Sequence, residues 1–314
     1  KVQRLAQGKT YNKEGFRQLL SSKPRLFKTA GLAILRSGET PETQIMATLD
    51  YGRNPMHAHL DRNQITLSAF GKMFTHGPGT VYNVGSGGIT RSTDPKLNSF
   101  CGAGSLGQNV ILVDQVNQLR AIGKLVAWSD KPDNQFVTAR VNGIAPGVDH
   151  TRTLALRDGL VIVIDRVESA DEHTYDFVYH NLGTLTPGPG WQSKPVSAPL
   201  GKTANYENLI DPAQLTGSGP VRLTWDLTAQ VKPAPTPAPG KKAASPTPAP
   251  APAPVHLALW QLPGEGSEHF TATTGMNNMN TSEIPAPAPS LITRKRAKTA
   301  SFVDLPADPA KEIR

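Results

Sequence analysis

The sequence predicts an all-β fold built as an antiparallel β-sandwich. Three observations predict it. From Arg25 onward, apolar residues recur at every second position in short runs, the period of a half-buried strand. Tight turn signals separate the runs, among them Ser37-Gly38-Glu39-Thr40-Pro41 and Arg157-Asp158-Gly159. Beyond the first 22 residues almost nothing carries the 3.6-residue spacing of an amphipathic helix.

Residues 1–22 read as a helix, with Val2, Leu5, Phe16, Leu19 and Leu20 among polar residues, and Pro24 ends it. It is a poor independent unit and reads as the tail of a helical region lying upstream. Leu32–Arg36 and Gln44–Leu49 are the first strands, and Ile65–Phe70 follows, turning at Gly71-Lys72 into Met73-Phe74. From His76 to Gly107 the chain reads as a loop rich in glycine, and a loop of that length inside a domain points to function. Val110–Asp114 is a buried strand. Lys124–Ser129, Phe136–Val141, His150–Leu156 and Leu160–Val167 continue the pattern, as do Thr174–His180, Val221–Leu227 and Leu257–Leu262. Residues 233–254 hold nine prolines among alanines, an extended spacer that cannot pair in a sheet. Ser290–Ile292 and Ala300–Leu305 are the last strands, with Arg294-Lys295-Arg296-Ala297-Lys298 between them as a solvated strand end.

Composition narrows the function classes. The 33 basic residues exceed the 25 acidic ones by eight, which favours a polyanionic partner: a nucleic acid, an acidic lipid surface or an acidic polysaccharide. No Lys/Arg-rich helix and no aromatic RNA-binding signature is present, so nucleic acid is the weaker choice, suggested only by charge. No apolar run is long enough to span a membrane. Cys101 is the single cysteine, which excludes an internal disulfide and a cysteine-based zinc site.

The stretch Asp50–Gln64 concentrates the chemistry: His57 and His59, Asp50 and Asp61, Arg53 and Arg62, all within fifteen residues. If the segment is extended, His57, His59 and Asp61 point the same way. Two imidazoles at that spacing can share a metal, or divide the work of base and ligand. Half-buried polar residues on a strand are the plain alternative. Arg62 and Arg91 are candidates for carboxylate binding, because a guanidinium pairs with it bidentately. His180, beside Tyr179 and Asn181, can line a cleft or fix a strand end. His150, His173, His256 and His269 read as structural, and the strand contexts of Trp128, Trp191, Trp225 and Trp260 favour packing for most of them.

Five segments carry a family resemblance. They are Ala30–Arg36; His57-Ala58-His59-Leu60-Asp61 with Ile65–Gly71; Gly77-Pro78-Gly79-Thr80-Val81-Tyr82; Asn109–Asp114; and His150-Thr151-Arg152 through Ile164–Val167 with His173–His180. Together they resemble the C-terminal β-domain of the heparinase II/III-like polysaccharide lyases, a group that includes the exolytic alginate lyases. The resemblance runs from about Arg25 to Leu305 without the Pro-rich tract. It implies a supersandwich-like β-domain of which residues 1–24 are a helical tail, 25–232 and 255–314 the sandwich, and 233–254 an insertion.

The resemblance also implies β-elimination at a uronic acid of an acidic polysaccharide, with His57 and Tyr82 as catalytic residues. His59 and His76 fall at zinc-ligand positions, His76 standing where the family has an aspartate. The third ligand position holds Gln108, a poor zinc ligand. The family's N-terminal α/α toroid, which supplies the other half of the cleft, would lie upstream of Lys1. A secreted or periplasmic location follows from such a substrate. The other reading open at this point is a non-catalytic, glycan-binding or interaction module of the same fold.

Overall fold

A computed structural model describes residues 23–40, 42–52, 59–75, 82–85, 88–91, 104–203, 205–227, 256–262, 266–274 and 289–305. The first sheet is an antiparallel meander in chain order: β1 (Arg25–Phe27), β2 (Leu32–Ser37), β3 (Ile45–Asp50), β4 (Gln64–Ala69) and β5 (Lys72–Thr75). Its alternation is that of the sequence. Ala33 and Leu35, then Ile45, Ala47 and Leu49, are buried while their neighbours are only half-buried. The β4–β5 turn sits one residue earlier than expected, on Phe70-Gly71, both at positive φ (54° and 71°). Two left-handed residues in a row match the twist of a tight hairpin.

The glycine-rich segment departs from expectation. It is not all loop: β6 (Tyr82–Gly85) and β7 (Gly88–Arg91) form a separate two-stranded ribbon. Each strand is four residues long and bounded by glycine, too short for a period to declare itself in the sequence.

The second sheet has twelve strands. They are β8 (Ile111–Val113), β9 (Gly123–Lys131), β10 (Asn134–Ala145), β11 (Val148–Arg157), β12 (Leu160–His180), β13 (Thr184–Pro187), β14 (Trp191–Pro195), β15 (Leu209–Gly217), β16 (Val221–Asp226), β17 (His256–Leu262), β18 (Glu268–Thr274) and β19 (Pro289–Leu305). β12 and β19 form its spine, pairing from Val163↔Asp304 to His180↔Ser290 with a register shift between Glu168 and His173. The two strands expected over 160–180 are therefore one. The two expected at the C-terminal end are likewise one strand, so the basic run 294–298 lies in mid-strand, and Arg294 reaches a buried carboxylate. β16 and β17, which flank the Pro-rich tract, pair directly with each other, Val221↔Gln261 to Asp226↔His256. The tract itself and residues 1–22 lie outside the described residues.

Past the register shift, β12 is buried on both faces. Tyr175, Phe177 and Tyr179 join the main core between the two sheets, which includes Leu35, Leu49, Val137, Leu154, Leu223 and the fully buried Trp225. Val178, from the other face, joins a second cluster with Leu106, Leu112, Tyr206, Phe270 and Ile292. No helix among the described residues is long and apolar enough to cross a membrane.

Candidate functional site

The chain enters the candidate site from β3. Tyr51 donates its amide to Gly31 O (2.8 Å) and accepts from Gly123 (2.8 Å). A Cβ on Gly52 would lie 1.8 Å from the Ala30 carbonyl oxygen, so only glycine fits this crossing. Residues 53–58, with His57, lie outside the described set, as does His76. The turn becomes visible again at His59.

From His59 to Gln64 nearly every polar group has a partner. Asn63 sits at φ 60° and Gln64 N bonds Asp61 O (3.1 Å), which closes the turn. Gln118 holds Arg62 on both sides of its backbone, accepting from Arg62 N (2.7 Å) and donating to Arg62 O (3.3 Å), and it donates to Ile111 O (3.0 Å) as well. Ser105 Oγ donates to Leu60 O. The Arg62 guanidinium turns back on the turn: to Gly52 O, to His59 O (3.1 Å) and to Asp61 (3.1 Å), with Asp50 at 3.9 Å. Burial pushes the carboxyls of Asp61 and Asp50 above the usual carboxylate range, with Arg62 pulling the other way.

Beneath the turn lies a buried ionic network. Arg152 on β11 clamps Asp165 on β12 through Nε (2.7 Å) and Nη2 (2.8 Å), all of it at 0% exposure. Its remaining nitrogen donates to Asn63 O and to Asn109 O (2.8 Å). His150 completes the network, bonded to Asp165 through Nε2 and to the Asn63 amide through Nδ1 (3.4 Å). Since Asn63 Nδ2 donates, Nδ1 accepts, and the neutral ring donates its Nε2 proton to the carboxylate. Burial lowers the His150 pKa, which suits that state. Burial would raise Asp165, but Arg152 and His150 outweigh it and hold the acid ionised.

Asn109 is the second anchor. Its side chain donates to Ile65 O (3.2 Å) and Thr75 Oγ1 and accepts from His180 N (2.6 Å), tying β4, β5 and β12 together. Next to it, the fully buried Gln108 brings Nε2 to 3.2 Å from His59 Nδ1. An amide N–H only donates, so Nδ1 accepts and the neutral imidazole carries its proton on Nε2.

The sequence-nominated residues divide accordingly. His59 stands half-buried on the turn. Arg62 and His180 are buried, at 4% and 3% exposure. His180 donates from Nε2 to Leu106 O (2.6 Å), and its Nδ1 meets Ser290 Oγ (2.6 Å). Both were expected to contact substrate; in this chain their polar atoms bond to the protein itself. Tyr82 and Arg91 are brought together, as directly opposed residues of the β6–β7 ribbon. Sequence reasoning passed over Gln118, Ser105 and Asn63, whose roles arise from contacts across up to 89 residues. A mostly apolar cavity of about 350 Å³ opens between the sheets, but none of residues 59–63 lines it.

Of the zinc set, His59 and Gln108 are described and His76 lies outside the described residues. Among them, no three His, Cys, Asp or Glu side chains gather around one point. The third position is taken by a neutral amide, outside the His, Cys and carboxylate donors from which protein zinc sites are made.

Comparison with known proteins gives the arrangement its place. The family model "Heparinase II/III-like, C-terminal" matches residues 20–196. The chain belongs to that family. A search of curated proteins found no match. Solved structures share the fold, among them the following three. A heparinase III gene product aligns with TM-score 0.58 at 9% identity, over 91% of this chain and 36% of its own. A mutant of the heparan sulfate lyase HepC from Pedobacter heparinus aligns with TM-score 0.57 at 15% identity, over 97% and 38%. A further heparinase III aligns with TM-score 0.52 at 14% identity, over 93% and 38%. This chain spans little more than a third of the length of these proteins. As a heparinase II/III-like C-terminal domain it is a polysaccharide-lyase-family module, all antiparallel β over the described residues apart from a three-residue 3-10 turn at Tyr206–Asn208.

Proposed function

We propose that this chain is the β-domain of a lyase that cleaves a uronic-acid-containing polysaccharide by β-elimination, acting with an N-terminal α/α toroid. The observation that carries the reading is the braced turn at His59–Gln64: a family-matched, His-bearing loop whose backbone is fixed by Gln118, Ser105 and Arg152. Such fixing suits catalysis, because a preorganised group does not have to reorganise during the reaction.

In this reading His57 acts at the sugar's C5, as base or as neutraliser of the carboxylate. The C5 proton leaves to the base, a C4–C5 double bond forms, and the C4–O4 bond breaks. Tyr82 contacts the substrate or returns a proton to O4. Arg91, opposite Tyr82 on the ribbon, is the remaining carboxylate-binding candidate. Arg62 and His180 are assigned instead to holding the turn and the end of β12. The basic excess of the chain suits an acidic glycan, and a secreted or periplasmic location suits such a substrate.

The test is ultraviolet detection of the unsaturated uronate. The full protein and this chain alone are incubated with heparan sulfate, alginate, hyaluronan and polyglucuronate. The expected result is product from the full protein and none from this chain, with product lost in His57→Ala while the fold persists. Unchanged activity in His57→Ala removes that residue from the mechanism. Glycan binding by the full protein without product on any substrate replaces the lyase reading with the binding-module one.

A further inference from the structure

We infer that in this chain the amide of Gln108 closes the His59 turn where a metal ion would otherwise do so, and that the turn is ordered without zinc. The inference stands apart from the lyase reading, since it concerns how the turn is held and is read out by metal content and melting.

Four observations carry it. The Nδ1 lone pair of His59, one of the two ring positions from which a histidine can hold a metal, already accepts a hydrogen bond from Gln108 Nε2 at 3.2 Å. Gln108 is fully buried, so its amide cannot turn to solvent, and its backbone amide is tied to Ser105 O at 3.0 Å. The next residue, Asn109, is fastened to β4, β5 and β12 by its side chain, which fixes the direction from which Gln108 approaches. Finally, the turn has a complete set of other supports. Leu60 O, both backbone groups of Arg62 and Asn63 O are all bonded to protein. A structural metal contributes folding free energy through its ligands; at this turn the chain's own hydrogen bonds hold the backbone.

Chemistry points the same way. A carboxamide at this position is a poor zinc ligand and a good hydrogen-bond donor. That donor fits a neighbouring histidine better than it fits a cation. His59 thereby becomes a neutral, oriented ring that presents an Nε2–H donor.

The test uses the full chain purified without added metal. Bound zinc is counted by elemental analysis, and the melting midpoint is followed with chelator and with added zinc. The expected result is far less than one zinc per chain and a midpoint that neither treatment moves. One zinc per chain, with a midpoint that falls on chelation, overturns the inference. A long-range proton–nitrogen spectrum of the His59 ring supplies a second readout on the unaltered chain. The proton on Nε2 and no change on adding zinc are expected; a zinc-induced shift of that ring overturns the inference. Gln108→Ala should melt several degrees lower, with no recovery in zinc. Recovery in zinc would show the metal to be the turn's natural support.

Discussion

The protein contains the same device twice, and the two copies do different work. At Arg152–Asp165 and at Arg294–Asp176 an arginine grips a wholly buried aspartate through Nε and Nη2. Each guanidinium also lies over a phenylalanine ring, Phe177 at 5.7 Å and Phe270 at 5.4 Å. What differs is the destination of the remaining donors and the third partner. Arg152 reaches Asn63 O and Asn109 O, the backbone of the candidate site, and its aspartate also holds His150. Arg294 reaches Leu200 O (2.8 Å), and its aspartate also holds the Tyr206 hydroxyl. One pair sets the His59 turn; the other sets the loop that closes the second core cluster. The comparison teaches that what a buried ion pair positions is set by the backbone its spare donors reach.

The largest expected effect comes from breaking the first pair. Arg152→Met leaves Asp165 charged and buried, which costs about 3–5 kcal/mol. It should also deprotect the amides of residues 61–64 in hydrogen exchange, because Asn63 O loses its donor. Denaturant titration and exchange mass spectrometry check both parts. Destabilisation with full protection of the turn would dissolve the distinction between the two pairs.

Breaking the second pair should do less, and elsewhere. Arg294→Met leaves Asp176 with the Tyr206 hydroxyl, and Arg294 is already partly exposed, so about 2–3 kcal/mol is expected. The amides at 61–64 should keep their protection. A loss of turn protection as large as that in Arg152→Met would break the comparison.

The smallest effect is in pH dependence, and it separates the third partners. Burial holds the folded-state pKa of His150 below its ordinary value of 6.5. The unfolded chain therefore binds the extra proton first, and stability falls as pH drops below about 6.5. Asp165, held low in the fold, adds a further loss as pH falls through its folded pKa. Tyr206 is raised well above 10 by burial and by the Asp176 charge. There the unfolded chain loses its proton first, so stability falls as pH rises past about 10. His150→Gln should flatten the mild-acid limb alone, and Tyr206→Phe the alkaline limb alone, in melting midpoints measured across pH. A single variant that flattens both limbs would merge the two clusters into one unit.

Much of this was legible in the sequence. The period-two runs of β3, β10 and β11 were plain because one face of each packs on a core and the other does not. The Asp158-Gly159 hairpin was plain because only a few residues take two positive φ angles in succession. The alternation of Tyr175, Phe177 and Tyr179 against Asp176, Val178 and His180 was visible too, but not its meaning, since both faces turned out to be covered by different clusters. β1, β13, β14, β15 and β18 went unread. Glu268–Thr274 carries polar residues that are buried only because other strands supply partners, as Thr293 does for His269 at 3.0 Å.

By itself the sequence determined the class of the fold, the Asp158-Gly159 hairpin and the family. These follow from local periodicity, from backbone preferences and from motif order, which are properties of neighbouring residues. Only the tertiary structure decided what the polar residues do. The polar groups of Arg62 and His180 find protein partners once the surrounding strands enclose them, and the Gln108 amide meets His59 from 49 residues away. A charged or polar side chain takes its role from whatever the fold brings within hydrogen-bond distance. That distance is set by the packing of sheets, which no local stretch of sequence encodes.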